Sequence, residues 1–133
     1  MRSMVDANII ISAGLFPKSN LGKALAHVVE NHELVICQYT LNELENVFIN
    51  KFPKRIEYLI KFVRRLKYEL VDVEINNYKK YPKIRDIDDL PVLANAIEAK
   101  VDLLITGDKD FDDVMIERPK IVKPRKYIDE YMK

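Results

Sequence analysis

Val101-Asp102-Leu103-Leu104-Ile105-Thr106-Gly107-Asp108-Lys109-Asp110-Phe111 reads as a buried strand running into an acidic turn. Val101, Leu103, Leu104 and Ile105 form an apolar run too short for a helix. The run stops at Thr106-Gly107, and Asp108 and Asp110 follow directly. In open parallel α/β sheets ligands bind outside the carboxyl ends of the strands. An acidic pair there is where a metal or phosphate-chemistry site would sit. Asp is also a common turn former, and this stretch alone does not separate the two readings.

The flanking sequence alternates strand and helix. Upstream, Met4-Val5 leads to Asp6-Ala7-Asn8 and then the apolar Ile9-Ile10-Ile11, a short strand ending near Asp6 followed by a helix or a turn of one. Ser19 or Asn20 can cap a helix carrying Leu21, Leu25, Val28 and Val29, and Leu34–Cys37 forms a second strand. Thr40 with Glu43 three residues on has the form of a capping box, with an apolar face of Leu41, Leu44, Val47 and Phe48 behind it. Pro53 opens a further helix with Ile56, Leu59, Ile60 and Val63 on one side and Lys61, Arg64, Arg65 and Lys67 on the other. Leu70–Val73 is a third strand.

Residues Asn76–Arg85 fit either a loop or a short helix, with Lys79, Lys80, Lys83 and Arg85 set among Tyr78 and Tyr81. That mixture is an ordinary solvated face, and it also suits stacking and backbone contacts with single-stranded nucleic acid. Pro91 fits the first turn of the small apolar helix that follows, with Asp88 as its expected cap and Asp89 free to project. Ile121-Val122 is a short edge strand, and Pro124 starts a last helix. The alternation predicts a parallel sheet covered by helices on both faces, within one domain spanning residues 1–133.

Composition narrows the function classes. A 133-residue chain has room for one real core. A net charge of +1 gives no global footprint for nucleic acid, so any attraction is local. One cysteine excludes an intramolecular disulfide, and with only two histidines a zinc site of the usual Cys/His type is not expected. Cys37 reads as a core residue. No run of about 18 apolar residues exists to span a membrane, and the early charges break any signal-peptide pattern. A cytoplasmic location is the expectation. Asp108, Asp110 and Asp112 mimic a calcium loop, but Asp113 stands where its glycine belongs and Pro119 where its last acid belongs.

In the predicted topology Asp6, Glu43, Asp89 and Asp108 can converge at one edge of the sheet. Clustered carboxylates repel one another unless a cation offsets them. Oxygen donors without His or Cys select hard ions such as Mg²⁺ or Mn²⁺. Such ions polarise phosphate oxygens and activate water, which is the chemistry of phosphodiester hydrolysis.

Four segments together resemble the motifs of PIN-domain nucleases, in the branch of VapC-like toxins of toxin–antitoxin systems. They are Asp6–Ala13, Thr40–Leu44, Asp88–Ala94 and Leu104–Phe111, in the family's order and spread over essentially the whole chain. The resemblance implies a three-layer α/β/α, Rossmann-like fold with a central parallel sheet, and Mg²⁺- or Mn²⁺-dependent endonuclease activity on RNA. Carried over by position, Asp6, Glu43, Asp89 and Asp108 are the catalytic and metal-binding acids, and Asp110 is an accessory ligand. Asn8, Ser12 and Thr106 occupy polar positions that would support the ligands by hydrogen bonds. Asp88 competes with Asp89 for the third acid, and the spacing to Leu93-Ala94 favours Asp89. The implied partners are RNA, an antitoxin protein and a second copy of the chain, with exposed apolar residues near 56–66 as dimer candidates. A catalytically silent PIN-like module for RNA binding or processing is the alternative.

Overall fold

The computed structural model describes residues 1–133. Five parallel strands form one sheet in the order β3-β2-β1-β4-β5, namely β1 Arg2–Val5, β2 Glu33–Cys37, β3 Glu69–Val71, β4 Leu103–Ile105 and β5 Lys120–Val122. The chain moves outward from β1 to β3 on one side, then returns to lay β4 and β5 on the other. The order therefore reverses between β1 and β4, and their carboxyl ends flank the crevice where open α/β sheets bind ligands.

Side-chain alternation along the strands divides the core in two. Val5, Leu34, Ile36, Leu103, Ile105 and Val122 face one apolar cluster, and Met4, Val35, Cys37 and Leu104 face the other. Both faces of the central strands are buried, as parallel sheets require. The first cluster is roofed by α1 (Ala7–Leu15), α2 (Asn20–Asn31), α3 (Gln38–Lys51), α4 (Ile56–Arg65) and α6 (Pro124–Tyr131). The second is covered mainly by α5 (Leu90–Glu98), which buries Leu90, Val92, Leu93 and Ala96. The result is the expected three-layer α/β/α fold. Each fully buried aliphatic side chain contributes about 1.5–3 kcal/mol.

Local chemistry explains the helix boundaries nearest the crevice. Asp6 ends β1 and caps α1, its carboxylate accepting from Ile9 N at 3.1 Å. Ser19 caps α2 by accepting from Gly22 N at 3.1 Å. A Cβ on Gly22 would lie 2.3 Å from the Pro17 carbonyl oxygen, so only glycine permits that turn. Asn95 pins α5 to the segment after β3, accepting from Val73 N and donating to the Pro91 carbonyl, both at 2.8 Å. At the other end of the sheet Tyr127 is wholly buried, with its hydroxyl 2.6 Å from His27 Nδ1, which ties α6 to α2.

Two local expectations fail. Thr40 does not cap α3: the helix begins earlier, at Gln38, and the buried Thr40 hydroxyl lies 3.3 Å from Cys37 Sγ. The strand delivers its last residue straight into the helix, leaving no free turn for a capping box, and Glu43 falls in the second turn. Nor does Asp88 cap α5. A 3₁₀ turn over Ile87–Asp89 precedes that helix, and Asp86 caps the turn by accepting from Asp88 N at 2.9 Å. The third strand is also shorter than Leu70–Val73, and Asn76–Arg85 is a loop with one 3₁₀ turn at Tyr78–Lys80.

Candidate metal centre

Each acid reaches the crevice by a different structural route. Asp6 follows β1, and its backbone N–H still bonds to the Ile105 carbonyl at 3.2 Å, so β1 and β4 remain paired up to the site. Thr106, the first residue past β4, donates its hydroxyl to the second carboxylate oxygen of Asp6 at 2.6 Å. The same hydroxyl accepts from Asp108 N at 3.1 Å. Asp108 then caps the 3₁₀ turn Lys109–Phe111, accepting from Asp110 N at 2.9 Å. A chain of hydrogen bonds therefore runs from Asp6 through Thr106 to Asp108 and Asp110. Asn8 is exposed at the start of α1 and Ser12 is half-buried further along it.

Asp89 enters from the opposite side, at the start of α5, in helical conformation and without a capping bond of its own. Carboxylate oxygens of Asp86, Asp89 and Asp110 all lie within 4.8 Å of one another. The geometry thus sets Asp89, rather than Asp88, beside Asp110. Asp86 is an acid that the motif reading passed over. A 3₁₀ turn has three residues per turn, so positions 86 and 89 fall on the same side. The Asp-Ile-Asp-Asp spacing would have exposed this had the segment been recognised as 3₁₀.

The electrostatics bind these groups into one unit. Burial pushes the Asp6 carboxyl above the usual range, against the pull of the Thr106 hydroxyl and the N–H groups of Ile9 and Gly107, and the Asp108 charge adds to the rise. Glu43 is raised by partial burial, then by the charges of Asp6 and Asp108. Asp89 is pushed up to about 7 by burial first, then by a hydrogen bond with Asp110 and the charges of Asp108, Asp110 and Asp86. Asp108 is the common neighbour: its charge acts on Asp6, Glu43 and Asp89.

None of these acids is held in an ion pair, although the Arg85 guanidinium, paired with Asp113, also feels the Asp110 charge. The ion pairs of the protein engage Asp102, Asp112, Asp113, Asp129 and several Glu residues, and none involves Asp6, Glu43, Asp86, Asp89, Asp108 or Asp110. An all-oxygen donor set with excess negative charge fits a hard divalent cation. Such a cation would also remove the reason for Asp89 to hold a proton at neutral pH.

Residues 2–110 match the family model described as PIN domain. The chain belongs to the PIN domain family. No curated protein matches it. Among solved structures, this PIN domain is similar to VapBC2 from Rickettsia felis bound to a DNA fragment from their promoter, with a TM-score of 0.67 and 18% identity. The similarity covers 92% of this chain and 97% of that one. At that identity it speaks for the PIN fold.

Proposed function

We propose that this PIN domain is a Mg²⁺- or Mn²⁺-dependent endoribonuclease and the toxin of a toxin–antitoxin pair. Its catalytic acids on this reading are Asp6, Glu43, Asp89 and Asp108, with Asp110 as a further ligand. The observation that carries the proposal is that the Asp108 charge acts on Asp6, Glu43 and Asp89 while Asp86, Asp89 and Asp110 carboxylates lie within 4.8 Å of one another, none of them in an ion pair. When bound there, the divalent ion supplies charge neutralisation at phosphate oxygens and raises the acidity of water.

The remaining steps fall to the chain itself. Thr106 holds Asp6 in place and, through Asp108 N, sets the start of the acidic turn. Asp89, whose carboxyl is pushed up to about 7, would lose its proton where a divalent ion is held. Water attacks the phosphorus in line and gives its proton to a base, while the bond to the leaving sugar oxygen breaks and that oxygen takes up a proton from solvent. Glu43, whose carboxyl is raised above the ordinary Glu range by partial burial and the charges of Asp6 and Asp108, suits the role of that base.

Of the two basic stretches, residues 79–85 suit the RNA track better than 61–67, because they run directly into Asp86. Lys80 and Arg85 are paired with Glu98 and Asp113. Lys79 and Lys83, with Tyr78, Tyr81 and Ile87, line an open cavity of about 480 Å³. Exposed Tyr78 offers a face for a base, and the lysines offer charge for the backbone. The antitoxin proposal draws on the fold shared with VapBC2. Pairing of two copies draws on exposed Tyr58 of α4.

The deciding experiment incubates the protein and its Asp6→Asn variant with labelled single-stranded RNA in Mn²⁺, in Mg²⁺ and in chelator. Cleavage by the parent alone, abolished by chelator, supports the proposal. Equal cleavage by the variant, or absence of both cleavage and Mn²⁺ binding in the parent, overturns it.

A further inference from the structure

A second cavity, of about 370 Å³, opens beside the acids between the ends of β4 and β5 and the segment after the acidic turn. Thr106 and Asp108 belong to its wall, so it shares a boundary with the candidate metal centre. The opposite wall is apolar: Phe111 is buried, and Val114, Ile116 and Ile121 are half-buried. Lys120 and Lys123 supply cationic charge to the lining. Lys123 Nζ lies 3.2 Å from Asp112 Oδ1, with both side chains open to solvent at 54% and 37%. An exposed pair of that kind is worth little, so the lysine can exchange its partner at small cost.

The cavity therefore combines an apolar wall, an exchangeable cation and direct contact with Asp108. Its volume is at the lower end of small-ligand pockets. A ligand that uses all three features has a flat apolar part and an anionic part, and is joined to whatever sits at Asp108. We propose that this cavity binds the nucleotide adjoining the scissile phosphate. Its base lies against Val114, Ile116 and Ile121, and Lys123 leaves Asp112 to meet its phosphate. The inference rests on the ribonuclease reading. It adds that the protein grips one nucleotide next to the cut by shape and apolar contact, while charge steers the rest of the strand. The outermost residues of this wall would then set which bases are tolerated beside the cleaved bond.

The test uses methyl-labelled protein of full length with Mg²⁺ present, titrated with adenosine and uridine monophosphates, the matching nucleosides, and inorganic phosphate. Monophosphates are expected to shift the Val114, Ile116 and Ile121 methyl signals, whereas inorganic phosphate leaves them in place. Val114→Trp fills the cavity and is expected to weaken monophosphate binding about tenfold or more, with Mn²⁺ uptake kept. Lys123→Met, which removes nothing from the core, is expected to weaken monophosphate binding about fivefold and leave nucleoside binding alone. It keeps the test open should the Trp variant fail to fold.

Unmoved methyl signals overturn the proposal, as does Lys123→Met binding monophosphates like the parent. Because these signals are read without turnover, the two readings fail separately. RNA cleavage with unmoved methyls removes only the nucleotide pocket. Shifted methyls with no cleavage and no Mn²⁺ uptake remove the nuclease reading and leave a nucleotide-binding site.

Discussion

The Thr106 hydroxyl donates to the Asp6 carboxylate at 2.6 Å while accepting from Asp108 N at 3.1 Å, joining the ends of β1 and β4 through one side chain. Thr106 is 1% exposed, so water cannot replace it in this role. Thr106→Val keeps the shape and removes the hydroxyl. The expected cost is about 1–3 kcal/mol of stability from unpaired buried groups, with Mn²⁺ affinity about 10–100-fold lower. Thr106→Ser is expected to recover most of both. Thermal melts and calorimetric titration check this; a valine variant with parental Mn²⁺ affinity would count against the supporting role.

Asp89 links stability to pH. Its carboxyl is raised from the ordinary 3.8 to about 7, so between those values the folded protein binds more protons than the unfolded chain. The metal-free protein is therefore expected to lose stability as pH rises from about 4 to about 7. Asp89→Asn cannot ionise and is expected to flatten that dependence, gaining roughly 1–2 kcal/mol at pH 8 once solvent screening is allowed for. Saturating Mn²⁺ should stabilise the parent at pH 8 more than at pH 5, and the variant little at either. Denaturant melts across pH, with and without the ion, provide the measurement.

Lys79 and Lys83 carry the salt dependence if RNA runs beside Tyr78. Replacing both by Met is expected to reduce the slope of log affinity against log salt by about 0.7 for each phosphate of the single strand that a lysine no longer neutralises. Fluorescence anisotropy in the Asp6→Asn background, which is expected not to cleave, measures it directly. An unchanged slope would move the track away from this loop, with the basic side of α4 as the next surface to probe.

Gly22 offers a stability control remote from the chemistry. Its missing Cβ would approach the Pro17 carbonyl oxygen to 2.3 Å and the Phe16 carbonyl oxygen to 2.8 Å. Gly22→Ala must push the turn between α1 and α2 aside, at a cost of about 1–3 kcal/mol. RNA cleavage at low temperature is expected to persist, because the acids lie at the carboxyl ends of the strands. A melt that matches the parent would mean the turn relaxes freely.

The division between what the chain announces and what it conceals follows the range of the interactions involved. Alternating apolar strands, the Ser19 cap, Pro53, Pro91 and Pro124 near helix starts, and four acids beside short motifs are all legible, because each is a local pattern with a local physical cause. These patterns are enough to read the layered α/β fold and the candidate acids. Thr40 and Asp88 mislead for the same reason: both have the chemistry of caps, but tertiary packing begins α3 earlier and inserts a 3₁₀ turn before α5. Asp86 stays hidden because its partnership with Asp110 depends on the phase of that turn and on bringing together segments distant in sequence. The cavity behind Asp108 stays hidden because it exists only where β5 lies in parallel register beside β4. Periodicity and capping are written along the chain; strand order, register and the mutual charge of side chains from separate elements arise only once the sheet has closed.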